Sequence, residues 1–167
     1  MKRLTGTVTL LICALLLGGC INLSPQPPTT RFFLLPESAE RAIAVEEVVV
    51  ARYLDQPQLV LTHEMELRFI PGARWAEPLG RTLERRWSMG TSEQVATVFV
   101  DTFGARRDKE GSWAVIRLRF TDPMNGEMRT FAWEQPWTDG EMKTLVGRLD
   151  EGLRAWESEV GGEVSDD

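Results

Sequence analysis

Cysteine is nearly missing from this 167-residue chain, and its two copies, Cys13 and Cys20, both fall within the first twenty residues. The remainder therefore has no thiol for a disulfide, a metal cage or a thiolate nucleophile. Histidine is as scarce, since His63 stands alone. No Gly-x-Ser-x-Gly elbow and no His or Cys cluster at metal-ligand spacing accompanies it, so no catalytic and no metal-binding constellation is recognisable. A basic stripe is missing too. The chain has 19 basic and 25 acidic residues, and its dense basic spots are Arg81, Arg85, Arg86 and then Arg106, Arg107, Lys109. These read as a solvated helix face and a turn, which removes the counterion release that drives nucleic-acid binding. Nor is there an apolar run fit to span a bilayer, because Leu4 to Gly19 supplies about 16 uncharged residues against the ~20 required.

What that short run does carry is a processing signal. Lys2 and Arg3 give a positive start, an uncharged segment follows, and Leu17, Gly18, Gly19, Cys20 close it with small residues that admit a peptidase. The expectation is a leader over residues 1–19 and a mature chain beginning at Cys20, carrying a thioether diacylglycerol and an N-acyl chain. This covalent lipid is the only prosthetic group expected, and no cofactor is. Loss of two bases and no acid with the leader shifts the net charge from −6 to −8. Ile21, next to the lipidated cysteine, is not the aspartate that retains lipoproteins at the inner membrane in enteric bacteria, so the outer membrane is the expected destination.

Residues 20–30 contain Pro25, Pro27 and Pro28 and read as an extended tether, reaching roughly 30 Å at ~3.1 Å per residue. Residues 31–157 read as one domain, large enough to bury about two thirds of its unfolded surface without staples. Residues 158–167 are acidic and read as a disordered tail.

Within the domain, Arg31 to Leu35, Ile43 to Ala51, Gln58 to Thr62 and Met65 to Ile70 read as strands, the last two as a hairpin. After Pro71 and Gly72 a helix is expected with Pro78 as its first residue, apolar positions Leu79, Leu83 and Trp87, and a stop at Gly90. Val95 to Phe103, Trp113 to Phe120 and Met128 to Trp133 alternate as an antiparallel meander with turns at Arg107 to Gly111 and at Pro123 to Gly126. Thr138 and Glu141 have capping-box spacing, and Met142, Leu145, Val146, Leu149, Leu153 and Trp156 form the stripe of a second helix. The fold class is thus mixed α/β, a mixed sheet of about seven strands with two main helices packed on it, in the order ββββαβββα. A parallel crossover from Met65–Ile70 through the first helix to Val95–Phe103 fits this order.

The polar residues point nowhere in particular. His63 beside Glu64 reads as an exposed turn histidine, and Asp55, Asp101 and Glu77 as solvated or capping carboxylates, Glu77 on the dipole of the first helix. The tryptophans say more. Trp87 and Trp156 fall on apolar helix faces and read as core, whereas Trp75 and Trp137 precede helices in loops, where an aromatic ring is either a local staple or an interface anchor.

Two stretches exceed what periodicity explains: Tyr53, Leu54, Asp55, Gln56, Pro57, Gln58, Leu59, Val60, and then Arg74, Trp75, Ala76, Glu77, Pro78, Leu79. Together with Arg31, two aromatics and two leucines in the first strand, they resemble the PqiC-type family of ABC transport auxiliary lipoproteins over nearly the whole mature chain. Phe32 and Phe33 stand where tyrosines are common in that family. The resemblance implies a periplasm-facing outer-membrane lipoprotein without catalytic residues. Its partners would be an MCE-domain protein with an ABC permease and ATPase, moving lipid between the two membranes and supporting membrane integrity. Self-association stays open. Tyr53, Leu54, Asp55, Pro57, Gln58, Arg74, Trp75, Glu77 and Pro78 are the candidate partner-binding residues. Pro57 would end strand pairing and leave a rigid turn, while packing of Tyr53 with Trp75 beneath the loop is the alternative. Two other functions remain open at this level: a lipid-anchored hydrolase using His63, and an envelope assembly factor that binds unfolded clients through exposed aromatics.

Overall fold

A single long strand organises the molecule. In the computed structural model, which describes residues 29–37, 44–88, 95–122 and 125–162, the elements are β1 (Arg31–Phe33), β2 (Ala44–Val50), β3 (Gln58–His63), β4 (Glu66–Trp75), α1 (Leu79–Trp87), β5 (Val95–Arg107), β6 (Ser112–Thr121), β7 (Met128–Pro136) and α2 (Met142–Gly162). The order is ββββαβββα and the sheet has seven strands, as the sequence patterns predict. β5, 13 residues long, pairs antiparallel with β6 along one edge. Along its other edge it pairs parallel with β2 over Val95–Val100 and then with β3 over Ala105–Arg107. β4 and β1 continue beyond β3, and β7 beyond β6.

The expected β4–α1–β5 parallel crossover is not formed. β3 lies between the two strands, antiparallel to β4 and parallel to β5, because the tight β3–β4 hairpin already occupies the edge of β4. The parallel neighbours are β1 with β4, β2 with β5 and β3 with β5. The last three strands do form the antiparallel meander. β4 runs to Trp75, well past the predicted end at Ile70. Its register against β3 jumps from Val60↔Phe69 to Gln58↔Arg74, and this irregular stretch houses Pro71, which lacks a ladder donor, and Gly72 at φ 71°.

Both helices lie on one face of the sheet. Alternation in β6 sends Ala114, Ile116, Leu118 and Phe120 to that face, where α2 brings Leu145, Leu149, Leu153 and Trp156 and α1 brings Leu79, Leu83 and Trp87. The Trp156 ring is fully buried, edge-on to Trp87 at 5.0 Å and to Phe120 at 5.5 Å. Gly152 lets α2 approach β6 and β7: a Cβ there would lie 2.7 Å from the Trp133 ring and 2.8 Å from Ile116 Cδ1. Gly104 does the same for the β3–β5 seam, since its Cβ would stand 2.4 Å from the Val60 carbonyl oxygen.

The helix ends depart from expectation by a residue or more. Pro78 is the cap of α1, at ψ 142°, and its carbonyl accepts from the Thr82 N–H at 3.1 Å. α1 stops at Trp87 with Ser88 as its cap, and Gly90 lies outside the described residues. Asp139, not the Thr138–Glu141 pair, caps α2. Its carboxylate accepts from the Glu141 N–H at 2.9 Å and the Thr144 hydroxyl at 2.7 Å, since Gly140 at φ 71° turns the chain so that Asp139 reaches the first helical turn. α2 then continues through Gly162 with Val160 buried, so the helix claims the first residues of the expected tail. Apolar burial of that last turn outweighs its acidic composition. Among the described residues no helix is long and apolar enough to cross a membrane, and the leader, Cys20 and most of the tether lie outside the described residues.

A candidate docking corner and an open sheet face

The two motifs that periodicity does not explain meet in space. Tyr53 to Gln58 forms the turn between β2 and β3, anchored by Ala51, whose N–H reaches the Val100 carbonyl and whose own carbonyl accepts from Leu54 and Asp55. Arg74 to Leu79 forms the end of β4 and the start of α1. They are laced together by backbone: Trp75 N–H donates to the Pro57 carbonyl at 2.6 Å, Ala76 N–H to the Phe33 carbonyl at 2.9 Å, and Gln58 stands opposite Arg74. Asp55 crosses between them, accepting from the Gly80 N–H at 3.3 Å. That places a carboxylate on the positive end of α1 from a distant loop. Gly80 is what lets it approach, as a Cβ there would sit 3.2 Å from Asp55 Oδ1.

The candidate partner-binding residues divide accordingly. Leu54 and Trp75 are core residues, 2% and 3% exposed, with Trp75 tilted against Phe103 at 5.9 Å. Neither side chain is presented for docking, because β4 carries Trp75 inward instead of leaving it in a loop. Tyr53 is half-buried and its hydroxyl donates to the Asp101 carbonyl, at the point where the β5–β6 register slips between Val100 and Thr102. Glu77 is half-buried, pairs with Arg85 and accepts from the Thr82 hydroxyl at 3.4 Å. Gln58 is half-buried as well. Asp55, Pro57, Arg74 and Pro78 are the exposed members, and they project from one stitched backbone corner. Trp137 resolves as a staple: it is buried, and its indole N–H donates to the Glu141 carbonyl at 2.9 Å.

Composition misplaces Arg86. It is not on a solvated face but 6% exposed, donating to Glu157 through Nε at 2.6 Å and Nη2 at 3.1 Å, to Asp150 at 2.6 Å and to the Pro36 carbonyl at 2.8 Å. The Trp87 indole N–H reaches the same Glu157 at 2.7 Å. Burial opposes the guanidinium charge most strongly, yet the bonds and charges of Glu157 and Asp150 together outweigh it and raise the Arg86 pKa. A signal did exist. Arg86 follows Leu79 by seven residues and Leu83 by three, and Asp150 and Glu157 are themselves seven apart beside stripe residues.

The opposite face of the sheet is not covered by either helix. Pairing of Thr62 with Arg106, Thr102 with Arg117, Gly104 with Val115 and Val115 with Glu134 places these residues together there, around a cleft of about 270 Å³. Ion pairs flank it. Arg119 holds Asp101 bidentately at 2.5 and 2.8 Å, lowering the Asp101 pKa, and lies over the Phe99 ring at 5.4 Å. Arg106 pairs with Glu134 and, at 3.1 Å, with Asp108. His63 ends β3 half-buried, opposite Glu66 on β4 and Arg107 on β5. Ser112 on β6, opposite Arg107, accepts from the Arg107 guanidinium at 2.9 Å. No group of three metal-ligating side chains occurs among the described residues.

Comparison with known proteins agrees with this architecture. A crystal structure of an uncharacterised protein superposes with a TM-score of 0.66 at 20% identity, covering 82% of this chain and 99% of that one. The protein XCC0632 from Xanthomonas campestris, of the DUF330 family, superposes with a TM-score of 0.56 at 21% identity, covering 84% and 98%. At these identities the likeness establishes the fold. No curated protein matches the chain. A family model, the ABC-type transport auxiliary lipoprotein component, matches residues 22–120, a span that contains β1 through β5, all of β6 but its last residue, and both motifs of the corner. The chain therefore belongs to the ABC-type transport auxiliary lipoprotein component family.

Proposed function

We propose that this chain is a lipid-anchored, periplasm-facing accessory subunit of an ABC transporter, docking an MCE-domain protein at the outer membrane so that lipid moves between the two membranes of the envelope. The observation that carries the reading is the family match over residues 22–120, which begins two residues after Cys20, the end of the processing box. Lipid on Cys20 supplies the attachment: each buried methylene adds ~0.8 kcal/mol, so three chains hold where one holds only marginally. Ile21 directs the anchor to the outer membrane, and the proline-containing tether clears the headgroups. Docking falls to the exposed members of the stitched corner, Asp55, Pro57, Arg74 and Pro78. Their backbone is fixed on both sides, so little ordering entropy opposes binding. The role is one of positioning, and membrane integrity depends on it through the transporter.

Crosslinking in intact cells followed by capture of the lipidated chain tests this. Recovery of an MCE-domain protein together with a permease is expected from the wild type. A Cys20→Ser variant is expected to fold and melt as the wild type does but to leave the membrane fraction and recover neither partner. Capture of the intact lipidated protein without any MCE component would overturn the reading.

A further inference from the structure

The cleft on the open face holds a cation, Arg117, that no described residue hydrogen-bonds or pairs with. It acts on Asp101 only through space, and Asp101 is already taken by Arg119. Thr102 lies directly opposite Arg117 on β5, and Thr62 lines the same cleft from β3. Neither hydroxyl has a described partner. Glu134 at the rim is the one acid in the lining, against the two cations Arg106 and Arg117, and Arg106 pairs with it and with Asp108 outside the lining. In a chain of net charge −6 this leaves a locally positive recess with two free hydroxyls. Such a recess matches the spread charge and several acceptor oxygens of a phosphate group.

The recess opens onto an apolar strip. Leu67 of β4 is the cross-strand partner of Thr62, and Phe69 that of Val60, so both share the face of the cleft. They are 55% and 50% exposed. Val115 and Ala132 line the cleft itself without adding charge. A polar recess joined to an exposed apolar strip fits a molecule with both parts.

We propose that the open face binds an anionic amphiphile, its phosphate seated between Arg117, Thr62 and Thr102 and its hydrocarbon laid over Leu67 and Phe69. The site gains biological sense from the lipid-transport reading above, but its chemistry stands on these residues. Calorimetric titration of the full lipidated chain in a neutral detergent tests it, using a short-chain phosphatidylglycerol, the matching phosphatidylcholine and inorganic phosphate as probes. Phosphatidylglycerol is expected to bind the most tightly of the three. Arg117→Gln should weaken it about tenfold or more, as loss of a hydrogen bond to a charged group does, and Arg117→Lys should restore part of it. Leu67→Ser should weaken phosphatidylglycerol while leaving the affinity for inorganic phosphate unchanged. Equal binding of inorganic phosphate and phosphatidylglycerol would mean a free-phosphate site and overturn the amphiphile assignment, and so would indifference to Arg117→Gln. Because Arg117 is exposed and outside the docking corner, capture of the MCE component by Arg117→Gln separates the two readings: partners retained with lipid binding lost affirms this site, and partners lost from the wild type sinks only the transport assignment.

Discussion

Arg86 sits where burial and charge conflict most. Nearly all of its hydrogen-bonding capacity is spent on Glu157, Asp150 and the Pro36 carbonyl, so truncating it removes the buried cation between the two carboxylates and leaves Glu157 to the Trp87 indole N–H and Asp150 to Arg154. Arg86→Ala is expected to cost ~3–5 kcal/mol, the usual consequence of removing one partner of a buried ion pair. Arg85→Ala, whose exposed side chain pairs with Glu77, should change stability by less than about 1 kcal/mol. Urea denaturation of the two variants measures the difference, and equal losses would show that the buried cluster contributes no more to stability than an exposed pair. The contrast also marks the limit of composition as a guide, since three arginines within six residues look alike on paper. Only the partner acids on α2 separate Arg86 from Arg81 and Arg85, and their approach depends on how two helices cross.

At the scale of elements, the strands with clean alternation were the legible ones. β6 and the first half of β5 show in the burial of Ala114, Ile116, Leu118, Phe120 and of Ala96, Val98, Val100 the split their sequences carry, because a two-residue period has one solution once a face is covered. The α2 stripe was legible for the same reason. Illegible were the places where the backbone departs from period: the irregular stretch of β4 that brings Trp75 inward, and the slip in β5 beside Asp101. The docking residues were half legible, since the two motifs were marked but their mutual contact depends on non-local pairing. Asp55 is the sharpest case, a loop carboxylate serving as a cap for α1 from 25 residues away. Asp55→Ala should therefore cost about 0.5–2 kcal/mol, the range for losing a helix cap. Asp55→Asn, which keeps an acceptor oxygen, should retain most of the stability, and equal losses in thermal melts of the two variants would show that charge, not the hydrogen bond, is what matters.

For the whole molecule, acid sensitivity follows from several carboxylates acting in one direction. Hydrogen bonds from Arg119 to Asp101, from the Glu110 N–H to Asp108, from the Thr144 hydroxyl to Asp139 and from Arg68 to Glu66 lower all four pKa values. Each group binds its proton less readily folded than unfolded, so its contribution is complete above the unfolded values, near about 4. It is lost as the pH falls through the lower folded values. The melting temperature should accordingly hold level from neutrality down to about pH 4.5 and decline below it, and a rise in melting temperature over that acid range would contradict the assignment. One more consequence concerns mechanical load. β1 is an edge strand of three residue pairs, parallel to β4, and the segment after it is gripped at the Pro36 carbonyl by Arg86. A pull on Thr29 along the strand axis stresses the β1–β4 bonds in shear, together instead of one at a time. What passes them arrives at Arg86, and through Glu157 and Asp150 at the whole length of α2, so force entering at the membrane end is spread into the helix layer before any single strand peels away.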